Sequence, residues 1–182
     1  EPYMEGNCCC RSCVAPLKYI EETKNCDKKG ITGLTKDETA MPMAAFQFQD
    51  FDLPSDLDVG IIKVGEDGLK ARVYTKCCGT FLFLGGGPGW PFAMRMFNRN
   101  ALCHRKDGTP YVSPGEPCIT IMAAHSFDPS KVPEPKVDGA PEELAAKFGA
   151  TAKPDYDLSP YQGNKVLYPD MDKAEVVPIT WE

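Results

Sequence analysis

With 182 residues, of which 42% are hydrophobic and 25% charged, the chain is long enough to bury a core without disulfide staples. Its net charge of −6 and lack of a basic stripe argue against a nucleic-acid surface, which needs clustered Lys and Arg. The longest charge-free run, between Lys76 and Arg95, holds five glycines and two prolines, and so does not read as a membrane span.

The chain opens on Glu1-Pro2, an unusual translation start. Processing after delivery to an organelle, plastid or mitochondrion, is therefore expected, with the cytoplasm as the alternative. Residues 1–7 read as a polar, extended lead. "CCCRSC" follows at Cys8 to Cys13, then "VAPLKYIEETKN", where a short helix after Pro16 is expected. "DKKGITGLTKDE" is turn material.

From Met41 the pattern becomes that of strands. Phe46, Phe48 and Phe51 include a period-two stretch. Ile61–Val64 and Leu69–Tyr74 read as a hairpin around Glu66-Asp67-Gly68. "TFLFL" is a further strand, and "GGGPGW" a glycine-rich loop with no G-K-[S/T] after it, which argues against a phosphate loop. Trp90, Phe92 and Phe97 read as pocket lining or, by default, core. Ala93 to Leu102 fits strand or short helix equally, and "CITIMAAHSF" reads as a last strand. After Phe127 prolines punctuate the chain. One short helix is expected at "APEELAAKFG", and the rest reads as an extended, Pro-rich tail with Tyr156, Tyr161, Tyr168 and Trp181. The expected organisation is a mostly β domain over residues 1–126 and an extended tail over 127–182.

Cysteine carries the most chemical information. There are nine, against two histidines, His104 and His125. In extended chain Cys8 and Cys10 point to one side and Cys9 to the other. Cys10-Arg11-Ser12-Cys13 reads as a tight turn that brings the sulfurs of Cys10 and Cys13 together. Only Cys13 is new in that turn, since Cys10 belongs to both pairs, so C-x-C-x-x-C can place three thiolates on one tetrahedral ion, and zinc suits such a site best. An iron–sulfur cluster and metal-free thiols are the alternatives. Cys77-Cys78 are neighbours, so at most one would normally serve a given metal. The pair reads as a contributor to a metal site, as one buried and one spare thiol, or as a vicinal disulfide.

"CCCRSC", followed by the β region "DVGIIKVGEDGLKARVYTKCCGTFL", resembles the glutathione-dependent formaldehyde-activating family, which includes centromere protein V. The resemblance covers about residues 6 to 125. It implies a tent-like, mostly β zinc fold with short helices, in which Cys8, Cys10 and Cys13 match the triad that holds a catalytic zinc. It also implies a second zinc motif at Arg72 to Thr80. There Cys78 falls in register, Thr75 stands where the first cysteine would be, and Cys77 is a shifted substitute. Another register takes Cys8 and Cys10 as the family's opening motif and Cys26 as a relic of the triad.

Two functions follow as expectations. One is a non-catalytic zinc scaffold or accessory subunit that binds a larger assembly through residues 127–182. The other is a carbon–sulfur lyase-type reaction that joins glutathione and formaldehyde as S-hydroxymethylglutathione. Arg11, Lys18, Lys76 and Arg105 are candidates for the glutathione carboxylates, against a solvated role. His104 and His125 are candidate acid–base groups, against a solvated turn and a strand-end core residue.

Overall fold

The structure, a computed structural model, describes residues 4–25, 27, 29–47, 51, 53–68, 70–85, 94–104, 107–110, 120–122, 124, 126–132, 136–137 and 164–178. In chain order the elements are β1 (Met4–Cys8), α1 (Arg11–Thr23), β2 (Met41–Gln47), β3 (Val59–Val64), β4 (Arg72–Thr75), β5 (Phe81–Leu84), β6 (Met94–Asn98), β7 (Thr120–Ile121), β8 (Lys136–Val137) and β9 (Glu175–Val177). Short 3₁₀ turns occupy Arg99–Ala101, Pro129–Lys131 and Met171–Lys173. The chain is mostly β, and none of its described helices is long and apolar enough to cross a membrane.

All nine strands among the described residues join one mixed sheet in the order β8-β7-β1-β2-β6-β5-β4-β3-β9. The middle is antiparallel, from β1 through β2, β6, β5 and β4 to β3. Parallel pairs extend both edges, β1 with β7 and β7 with β8 on one side and β3 with β9 on the other. Alternation along β2 explains how one sheet serves two cores. Met41, Met43 and Ala45 face a core shared with α1, while Ala44 and Phe46 join Val73, Phe83, Phe97 and Val166 in a second. Phe97 is thus a core ring. It meets Phe46, Phe83 and Phe51 at centroid distances of 5.8, 5.4 and 4.7 Å.

Helix α1 buries Cys13, Val14, Pro16, Leu17 and Ile20, a stripe at helical spacing. It begins at Arg11, before the start expected after Pro16, so Cys10-Arg11-Ser12-Cys13 is the entry to a helix and its first turn. Cys10 is the N-cap, and its carbonyl accepts from the backbone N–H of Cys13 at 2.9 Å and of Val14 at 3.1 Å. Neither a side-chain cap nor an acidic residue marks this start, so the usual start signals are missing. Pro16 lies inside the helix and cannot donate to the carbonyl of Ser12, four residues back. Arg72 Nη2 donates to that carbonyl instead, at 2.6 Å.

Three other expectations change. The polar lead at residues 1–7 ends in β1, an interior strand whose Glu5 and Asn7 are buried. The ambiguous run at 93–102 is strand first and 3₁₀ turn second. Residues 127–182, expected as an extended tail, contribute both edge strands β8 and β9. Val166 and Leu167 are buried, and Arg95 Nη2 donates to the Leu167 carbonyl at 2.7 Å. The helix expected at 140–149 and the "GGGPGW" loop beyond Gly85 lie outside the described residues, as do Phe48, Trp90 and Phe92.

Candidate metal centre

Strand β1 delivers Cys8 at its last residue, the link delivers Cys10, and the first turn of α1 delivers Cys13. The three sulfurs converge within 4.8 Å of one another. Cys8 Sγ is 3.5 Å from Cys10 Sγ and 3.4 Å from Cys13 Sγ. All three residues are buried, at 3%, 8% and 6% exposure. Cys9 turns to the other side and packs with Ala40 and Val132.

These positions fit a metal ion on chemical grounds. Two sulfurs about 2.3 Å from a tetrahedral ion would stand about 3.8 Å apart, close to the separations found. The donors are soft sulfurs with no carboxylate among them, a set that favours zinc or another thiophilic ion. Their location supplies part of the charge balance. Cys10 and Cys13 sit at the N-terminus of a 13-residue helix, where unpaired N–H groups favour negative charge.

The proton inventory of the bare cluster is uneven. Cys10 is held far below the usual thiol range by hydrogen bonds from Cys13 and Cys8, with further support from the Ser12 hydroxyl, 3.2 Å away. Cys8 and Cys13 are pushed up, in both cases first by the hydrogen bond to Cys10, with burial adding to the effect. One thiolate thus forms readily while the other two resist, so an ion that needs all three must displace protons.

Arg72 is the residue that sequence reasoning passed over. Its side chain is buried, with Nη1 on the Lys70 carbonyl at 3.0 Å and Nη2 on that of Ser12. Among the described residues Nε has no hydrogen-bond partner. Burial pulls the guanidinium pKa down, while charge on Cys13, Cys10 and Cys8 pushes it back up. A buried cation within electrostatic reach of three thiols is a counter-charge for thiolates. Arg72 and Tyr74 share one face of β4 by strand alternation, which was readable. That this face meets the first turn of α1 was not.

The other candidates lie elsewhere. Cys77 and Cys78 sit in the β4–β5 turn and do not join the triad. A Cβ on Gly79, the next residue, would stand 2.5 Å from the Lys24 carbonyl carbon and oxygen, which places the turn against the far end of α1. At about 1.5 Å rise per residue, that end is roughly 16 Å from Cys13. Cys78 is surrounded by hydroxyls, with Thr75 Oγ1 and Thr80 Oγ1 each 3.2 Å away. Cys26, Arg105 and His125 lie outside the described residues, and His104 is exposed in a short bridge with Pro110. Arg11 Nε donates to the Ser126 carbonyl at 3.3 Å beside the Phe127 ring, Lys18 stands 4.0 Å from Glu38, and Lys76 pairs with Asp58 at 2.8 Å. No known protein family, curated protein or solved structure matches this chain.

Proposed function

We propose that Cys8, Cys10 and Cys13 hold one zinc ion as thiolates, and that the centre takes a small thiol as a further ligand for carbon–sulfur chemistry with an aldehyde. What supports the metal is the convergence of three buried sulfurs at separations of 3.4 and 3.5 Å, beside a buried guanidinium; the thiol and the aldehyde come from the family resemblance alone. Zinc bound there would supply Lewis acidity, lowering the pKa of a thiol beside it. The chain's own residues do the rest. The three cysteines fix the position, and the helix N-terminus and Arg72 offset their charge. Glutathione and formaldehyde, the pair suggested by the resemblance, are the substrates to try first.

A second reading keeps the zinc and drops the catalysis. It is favoured by the β4–β5 turn, where the Thr75 and Thr80 hydroxyls surround Cys78 in place of the thiols a second zinc site would need. The protein would then be a zinc scaffold within a larger assembly. Metal analysis of purified protein, joined to NMR detection of S-hydroxymethylglutathione formed from glutathione and formaldehyde, separates the two. One zinc per chain with accelerated adduct formation supports the enzyme. One zinc without acceleration leaves the scaffold. Folded protein that neither carries nor takes up zinc removes both.

A further inference from the structure

The turn between β4 and β5 presents two sulfurs that the metal centre leaves out. Cys77 is exposed and Cys78 half-buried, and their Sγ atoms stand 3.6 Å apart. The two hydroxyls stand beside Cys78 rather than Cys77, and backbone N–H groups hold both oxygens in place. Thr75 Oγ1 accepts from the Thr80 N–H at 3.2 Å, and Thr80 Oγ1 accepts from the Ile31 N–H at 2.9 Å. Each hydroxyl keeps its proton, which is free to donate to a Cys78 thiolate. The turn itself is closed by Thr75 N–H to the Thr80 carbonyl and Gly79 N–H to the Thr75 carbonyl, both at 2.9 Å. Gly79 has φ +71°, a conformation other residues rarely adopt.

We propose that Cys78 is a reactive thiol that exchanges with small-molecule disulfides, with Cys77 as its resolving partner. Two hydroxyl donors stabilise a thiolate on Cys78, and its half-exposed position admits a small reagent. The Thr75 hydroxyl, then that of Thr80, draws the Cys78 pKa down to about 7 against a smaller opposing effect of burial. In the first step the Cys78 thiolate attacks one sulfur of the disulfide RSSR. A Cys78–SR bond forms, the S–S bond of RSSR breaks, and the released thiolate takes a proton from solvent. In the second step the Cys77 thiolate attacks the Cys78 sulfur, and the remaining RS group leaves and is protonated. Two protein thiols are oxidised to one disulfide, and one RSSR is reduced to two RSH. Adjacent Cα atoms stand about 3.8 Å apart, closer than is usual for bridged cysteines. The closed pair is therefore readily reopened by excess thiol.

The test treats the full chain at pH 7 with glutathione disulfide and follows intact mass and peptide maps, without reference to bound metal. Cys77→Ser should accumulate one glutathione adduct on Cys78. The unsubstituted chain should pass through that adduct to a Cys77–Cys78 disulfide, and dithiothreitol should reverse both. Cys78→Ser should lower the initial rate about threefold, the larger thiolate fraction being partly offset by lower intrinsic nucleophilicity. Circular dichroism establishes that each variant is folded. First modification at Cys77 or at the exposed Cys103, an unchanged rate in Cys78→Ser, or no reaction at all overturns the proposal. A Cys78 adduct that persists without a bridge overturns the resolving role of Cys77.

Discussion

At the scale of single residues, the three cysteines are unequal in position but equal in need. Each must lose its proton to hold an ion, and burial leaves none of them a solvent substitute. On the proposed zinc reading, Cys13→Ser should therefore take bound zinc from one per chain to near none, measured by elemental analysis, whereas Cys9→Ala should retain it. Arg72 works differently, as a charge that makes thiolates tolerable in a dry setting. Arg72→Met should weaken zinc binding by about tenfold to a hundredfold, as loss of a partner behind the ligands commonly does. Competition with a chromophoric chelator reads this, and Arg72→Lys should recover only part of the loss, since an ammonium cannot span the Ser12 and Lys70 carbonyls as a guanidinium fork does.

At the scale of elements, β9 is held to the edge of the sheet by its pairing with β3 and by Glu175, which accepts from Lys24 at 2.7 Å and from the Tyr19 hydroxyl. Lys24 first, then Tyr19, holds the Glu175 carboxyl below its ordinary value. A depressed carboxyl lends stability that is present above the unfolded pKa of about 4.3 and is lost as pH falls through the lower folded value. Hydrogen-exchange protection factors at Glu175–Val177, corrected for the intrinsic rate at each pH, should fall below about pH 4, earlier than in β2 and β6, and Glu175→Gln should remove most of that step. The turn opposite is held by shape. Gly79→Ala should cost about 2–3 kcal/mol in urea unfolding, because a Cβ there meets the Lys24 backbone at 2.5 Å and φ is positive. The hairpin of β3 and β4 and the strand at "FLFL" were legible because alternation and turn residues agree there. The start of α1 was not, because cysteine takes the place of the Ser, Thr, Asp or Asn that marks a helix entry. The triad was legible as C-x-C-x-x-C, since 8, 10 and 13 are neighbours in the chain. Arg72 was not, because its relation to them depends on long-range packing.

At the scale of the molecule, the sheet is closed on both faces by different means. Helix α1 covers one, and residues 164–171 help cover the other through Val166 and the hydrogen bond from Arg95 to the Leu167 carbonyl. Burial draws the Arg95 pKa down to about 10, which leaves it charged at neutral pH. Ending the chain before residue 164 should thus expose the second core and lower the thermal midpoint by several degrees or more, of the order expected for a few kcal/mol. A chain cut there that melts unchanged would mean that the segment adds nothing to stability. Helix and sheet are also joined where Pro16 leaves the Ser12 carbonyl to Arg72. Neither position should drift alone over evolutionary time. Alanine at 16 would return an amide hydrogen to compete with the guanidinium, while loss of the guanidinium would strand an acceptor that any residue but proline at 16 could rescue through its own amide. The pair should show sign epistasis, with the double change milder than loss of the guanidinium alone.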